Sequence, residues 1–245
     1  MYIGILFAAM VVMPMNFIRR GIAFKVPPFQ VISRSILWTG FGLLFILGIS
    51  AAMGENVIDE IQQAYQVAAK TLAENGELAK QLGIDSLPLD ERIKFISSIY
   101  DVVAQSLIAM LFTFSAIISF FEYKIFAKLK YGEVPPSQKP LIREFNLKPE
   151  NLTGWFIIYL VVWLIKASGA YVGEIATLNV NLLIESIFAL QGISVICYAI
   201  YIKRKPIVLG GILCVALWLL PFGKQLLFIL GLLEIVLGLK KRVSN

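Results

Sequence analysis

The stretch from Leu178 to Ile202, LNVNLLIESIFALQGISVICYAIYI, is apolar enough to cross a membrane as one helix, yet it carries Asn179, Asn181, Glu185 and Gln191. An ionisable group in hydrocarbon costs on the order of 2.5 to 3.5 kcal/mol on insertion scales, so one that persists there has a partner, a wet cavity or a substrate. The span before it holds Lys166. A polar seam through an apolar helical protein is therefore the first feature to explain.

Outward from this stretch the chain stays apolar. Of its 245 residues 58% are hydrophobic, and its mean hydropathy is +0.79, beyond what a soluble domain of that length tolerates. The apolar runs fit helical spans of about 20 residues, and the roughly ten-residue alternating segments of an outer-membrane barrel are missing. The expected fold is all-α, a polytopic transmembrane bundle in one membrane domain over 1–245. Seven spans are predicted, at about 2–18, 31–53, 99–121, 152–172, 179–202, 207–220 and 225–239. The last two are short, about 21 and 22 Å against a hydrocarbon core of about 30 Å. Residues 207–239 thus either cross twice, tilted, or form a re-entrant hairpin about Pro221-Phe222-Gly223, with Lys224 at its outer turn. No basic segment precedes the first apolar run and no small-residue cleavage site follows it, so that run reads as a span and not a signal peptide.

Charge sets the topology. Sixteen of the 22 Lys and Arg residues sit in alternate connections, among them Arg19, Arg20 and Lys25, then Lys124 to Lys148, Lys203 to Lys205, and Lys240 to Arg242. The net charge of +6 is therefore spent on orientation and not on nucleic acid, and the positive-inside rule puts the N-terminus outside and the C-terminus in the cytoplasm of a bacterial inner membrane. Between spans two and three, residues 54–98 carry eight acidic and four basic residues. There Ile58, Ile61, Tyr65, Ala68 and Leu72 recur at helical spacing, Asn75-Gly76 breaks the pattern, and a second helix from near Asp90 is expected to run unbroken into the third span. This predicts an extracytoplasmic helical hairpin. Residues 122–151 form a basic cytoplasmic loop: a helix to Lys130 with Phe126 and Leu129 at headgroup level, then a proline-rich extended linker open to solvent.

The polar groups define the candidate site. If spans four and five are joined by a short loop near 173–178, Lys166 and Glu185 both lie about 9 to 10 Å below its level and should form an ion pair facing the bundle interior. That pair is either a lock on helix register or the floor of an outward-facing pocket, with Asn181 in the same layer. Asn179 and Gln191 suit amide hydrogen bonds to neighbouring helices, and Glu234 lies close enough to Lys240-Lys241-Arg242 to reach toward them. Gly169 and Gly173 form a small-xxx-small pair beside the seam. The absence of histidine excludes zincin motifs, histidine-ligated haem and Ser-His-Asp triads. Cys197 and Cys214, inside apolar spans, read as small packing residues, so neither a metal site nor a cofactor is expected.

The run Leu178-Asn179-Val180-Asn181 leading to Ala189-Leu190-Gln191-Gly192-Ile193-Ser194, then a basic turn, a span ending at Pro221, and Gly231-Leu232-Leu233-Glu234 before Lys240-Lys241-Arg242, resembles the YybS-like bacterial membrane proteins over about 140–242. Glu234 stands where Asp is expected, and the chain starts one span later than longer relatives, in keeping with an outside N-terminus. Such proteins are grouped with the substrate-binding S components of energy-coupling-factor transporters. The resemblance implies a solute-binding or uptake subunit with an outward-facing pocket among the later helices, driven by a separate coupling membrane protein and ATPases. No Walker motif is present, so no catalysis of its own is expected. The alternative is a non-transporting scaffold or regulatory subunit of a larger membrane complex, docking through its hairpin and basic loop.

Overall fold

A computed structural model describes residues 2–52, 57–169, 171–220 and 222–243. Eleven α-helices and two short 3-10 turns account for nearly all of them, and no strand occurs among the described residues. The apolar helices are α1 (Tyr2–Ala23), α2 (Pro28–Ala52), α6 (Leu107–Tyr131), α7 (Glu150–Ala167), α8 (Tyr171–Ile202), α9 (Ile207–Leu219) and α10 (Gly223–Leu237). Between α2 and α6 come α3 (Val57–Glu74), α4 (Gly76–Gln81) and α5 (Leu89–Gln105), and α11 (Leu239–Val243) ends the chain. Three helices, α2, α6 and α8, are long and apolar enough to cross a membrane by themselves. A fourth crossing arises if α9 and α10, which turn by 118° at their junction, count as one broken span. Pro221, on which the expected turn centred, lies outside the described residues.

Two groups of helices make the body. In the first, α1, α2 and α6 bury Ile18, Ile22, Val31, Ile32, Tyr123 and Ala127 together. Polar groups line the same interface: Ser35 Oγ lies 3.1 Å from Ser119 Oγ, and Thr39, Ser115 and Glu122 are buried beside this seam. In the second group α8 packs along α10, with α9 closing the turn between them. Gly192 sits against the Leu227 carbonyl and Gly231 against the Phe188 carbonyl, so neither site has room for a Cβ and the two backbones touch. Glu185 meets Lys224 toward one end of this pair and Ser194 meets Lys240 at the other, so α8 and α10 run in the same direction.

The α3–α5 segment forms a unit of its own. Asn75 caps α4 by accepting from the Glu77 and Leu78 N–H groups, and Ala69, Ala73, Ala79, Ile84 and Ile96 form a small core under the stacked rings of Tyr65 and Tyr100. Leu72 of the amphipathic stripe read from the sequence packs against this core, but the buried positions on α3 are Ala69 and Ala73, one residue past the expected Ala68 and Leu72, whereas Ile58 and Ile61 lie outside the residues whose side chains are described.

Helix α5 does not continue into α6 as expected. The chain breaks at Ser106, and the apolar helix occupies Leu107–Tyr131 instead of 99–121. Asn179 explains how a break survives among apolar helices. In an unbroken helix the Ala109 N–H would donate to the Gln105 carbonyl. Here it donates to Asn179 Oδ1 at 2.7 Å, while Asn179 Nδ2 donates to the Gln105 carbonyl at 2.6 Å and to its own helix at Ile175 O, 2.8 Å. The carboxamide is spliced into the ladder, satisfying both freed backbone groups and tying α8 to the α5–α6 joint.

The linker after α6 is not the open loop the sequence suggested. Gln138 is buried, accepts from Tyr123 Oη at 3.0 Å and donates to the Lys25 carbonyl at 3.3 Å. Phe145 packs edge-on against Phe29, its carbonyl accepts from Ser194 Oγ and Lys240 Nζ, each at 2.7 Å, and Arg143 lies 3.7 Å from the Tyr201 ring centroid. The linker is a strap that joins the two helix groups at their basic end. Burial lowers the pKa of the Lys240 ammonium, opposed by the nearby Glu234 carboxylate.

Two outcomes test this packing. Asn179→Leu, which keeps the shape and removes the amide, should lower stability by about 1 to 3 kcal/mol in detergent unfolding because it strands a buried N–H and a buried carbonyl; an unchanged transition would refute the splice. Gly192→Ala or Gly231→Ala should cost about 1 to 3 kcal/mol by forcing α8 and α10 apart. Gly211→Ala, with open space around it, is the neutral control.

Candidate functional site

The position of the turn between α7 and α8 decides the site. Helix α7 ends at Ala167, and Gly169, at φ +76°, reverses the chain so that α8 starts at Tyr171. The sequence reading ends the fourth span near 172 and begins the fifth near 179, which puts Glu174 and Thr177 in a short loop and Asn179 at the start of the next span. Each is accommodated within the helix: Glu174 lies in its first turn, Thr177 Oγ1 donates to the Gly173 carbonyl at 2.6 Å, and Asn179 is fully used by the α5–α6 joint.

This early start separates the two charges expected to pair. Lys166 is less than one turn below Gly169 and exposed, and its backbone lies against Gly173, where a Cβ would clash. Glu185 lies about 21 Å along α8 from its first residue at roughly 1.5 Å per residue. The two cannot share a depth. Glu185 Oε2 instead accepts from Lys224 Nζ at 2.8 Å, the one salt bridge among the described residues. Lys224 is held by the α9–α10 elbow, where Gly223 packs on the Leu217 carbonyl and the ammonium lies 5.7 Å from the Trp218 ring centroid.

Glu185 and Asn181 do come together, on the α8 wall of a groove of about 920 Å³ between α7, α8 and α10. Helix α7 contributes Trp155 and Tyr159, α10 contributes Gln225 and Phe228, and Phe188 forms part of the α8 wall. Phe188 and Phe228 have ring centroids 5.4 Å apart. The groove therefore combines aromatic surface with two carboxamides and one carboxylate whose charge is balanced by Lys224. Chemically it can hold a solute with flat apolar surface and several hydrogen-bonding groups. The sequence reading places Lys224 at the outer turn without a partner and does not single out Gln225, whereas Asn181 and Glu185, four residues apart, are already expected in one layer.

The remaining polar residues sit elsewhere. Asn179 serves the α5–α6 joint. Gln191, fully buried, accepts from the Leu147 N–H at 3.0 Å and donates to Asn146 Oδ1 at 3.3 Å, so it fixes the strap and not a neighbouring helix. Glu234 is buried near the terminal basic cluster, where its Oε2 accepts from the Lys240 backbone N–H at 2.8 Å across the left-handed turn at Gly238. Cys197 and Cys214 are free thiols on adjoining helices. No group of His, Cys, Asp and Glu able to hold a metal occurs among the described residues.

No curated protein and no solved structure matches the chain. The family described as predicted membrane protein (DUF2232) matches residues 1–235, and the chain belongs to it as a multi-pass helical membrane protein.

Proposed function

We propose that this protein is an S-component-like membrane subunit that binds a small solute in the α7–α8–α10 groove. Uptake is driven by separate partners, a coupling membrane protein and ATPases, with no catalysis by the chain itself. The observation that carries this reading is the convergence of Asn181, Glu185 and Gln225 between aromatic walls, with the Glu185–Lys224 pair along one edge. A merely structural ion pair has no need of uncommitted carboxamides beside it. The topology that goes with this reading has seven crossings, basic helix ends in the cytoplasm of a bacterial inner membrane, and the α3–α5 unit as an external cap. The resemblance of Leu178-Asn179-Val180-Asn181 and Gln191-Gly192 to YybS-like proteins supports the same class.

A second reading rests on α7, whose packing is on α8 and which exposes Leu160, Trp163 and Leu164, none of them a groove residue. Such a face suits a partner helix in a scaffold or regulatory subunit of a larger membrane complex.

Purification from native membranes followed by mass spectrometry of retained solutes and proteins separates the two. The uptake reading expects a bound solute and an ATPase pair, with solute retention falling about tenfold or more in Asn181→Ala and Glu185→Gln and unchanged in Lys166→Ala. A solute-free protein in an unrelated complex, lost on changing the exposed face of α7, would establish the scaffold instead. A double-mutant cycle adds a stability readout. Glu185→Gln and Lys224→Met made together should be milder than the sum of the single changes, because each single change leaves one charge unpaired; strict additivity would mean that the two charges do not interact.

A further inference from the structure

A second concavity lies at the basic end, between α1 and α6. It measures about 490 Å³ and is lined by Arg19, Ile22, Phe126, Leu129 and Lys130, three apolar residues and two cations. The walls are fixed relative to one another, since Tyr131 Oη and Lys130 Nζ both donate to the Ile22 carbonyl, at 3.0 and 3.3 Å. That bond uses one of the three N–H donors of Lys130 and leaves the others for a ligand. Arg19 is exposed and has no carboxylate partner among the described residues. The nearest acid on α6, Glu122, is buried and does not line the cleft. Leu129, 74% exposed, leaves apolar surface open beside the cations.

Two cations above an apolar wall, at the end of a membrane-spanning helix, have the layout of a phospholipid: a phosphate at headgroup level with acyl chains below it. A free phosphate would satisfy the cations and leave the apolar surface of Phe126 and Leu129 uncovered. We propose that the α1–α6 cleft is a binding site for an anionic phospholipid, with Arg19 and Lys130 holding the phosphate and Phe126 and Leu129 contacting the chains. The site is separate from the α7–α8–α10 groove and does not depend on what that groove binds.

Native mass spectrometry of the full chain with phosphatidylglycerol and with phosphatidylcholine of the same acyl chains tests this. The wild-type protein should retain phosphatidylglycerol preferentially. Arg19→Gln with Lys130→Gln should weaken retention by about five-fold per cation. Lys203→Gln, which removes a charge at the basic end outside the cleft, should leave it unchanged. Because Lys130 also caps α1, Arg19→Gln alone is a second arm: about a five-fold loss with an unaltered melting transition. Equal retention of the two lipids, an equal loss in Lys203→Gln, or displacement of the lipid by millimolar inorganic phosphate would each overturn the assignment.

Discussion

The close approach of α8 and α10 at Gly192 and Gly231 is the contact on which the rest of the arrangement depends. Helices surrounded by apolar solvent gain little from burying leucine, because lipid tails are as apolar as any side chain, so backbone proximity and hydrogen bonds decide which helices associate. With glycine at both crossing positions the two backbones touch, and that contact sets the register of everything above and below it. Toward one end it places Lys224 against Glu185; toward the other it brings Lys240 to Ser194 and the Phe145 carbonyl, which anchors the strap. Helix α7, packed chiefly on α8, then has α10 as the far wall of its groove.

Polar groups in the apolar helices divide into two kinds by what they do for the backbone. Asn179, Gln191 and Ser194 each complete hydrogen bonds that irregular backbone would otherwise lack, at the α5–α6 joint and along the strap. Non-helical chain at this depth is tolerated only when its N–H and carbonyl groups find such partners. Asn181, Glu185 and Gln225 do no comparable work, and they share one groove. This division, and not polarity as such, separates residues that hold the fold from residues free to meet a solute.

The sequence carried most of the architecture and misplaced two joints. The all-α class and the long apolar helices α2 and α8 were legible because apolar runs of this length have few alternatives. The break at Ser106 was not, since neither glycine nor proline marks it and its cause is a side chain 70 or more residues away on another helix. The early start of α8 was missed for a related reason: polar Glu174 and Thr177 interrupt the apolar run at its start, whereas Thr177 bonds back to the Gly173 carbonyl and Asn179 to the Ile175 carbonyl within the helix. Moving that one turn by about two helical turns carried Lys166 to the surface, dissolved its pairing with Glu185, and left Glu185 to Lys224. Depth matching by residue count is only as good as the position of the loop from which the count begins.

The two helix groups differ in how their polar content is settled, and this bears on where motion can enter. The α8–α10 side closes its hydrogen bonds, and its one ion pair lies at a groove edge where both partners remain partly exposed. The α1–α2–α6 side buries Thr39 Oγ1 and both oxygens of Glu122 without a partner among the described residues. Desolvating a carboxylate with nothing to meet it opposes the packing of the helix that carries it. The two groups are joined by the strap and by the Asn179 splice, contacts made of hydrogen bonds and not of broad apolar area. Directional bonds at a few points hold a relative orientation while permitting it to change when one of them is exchanged. In this fold the α5–α6 joint is the point where a single side chain, Asn179, ties α8 to the helix that carries the first group's seam.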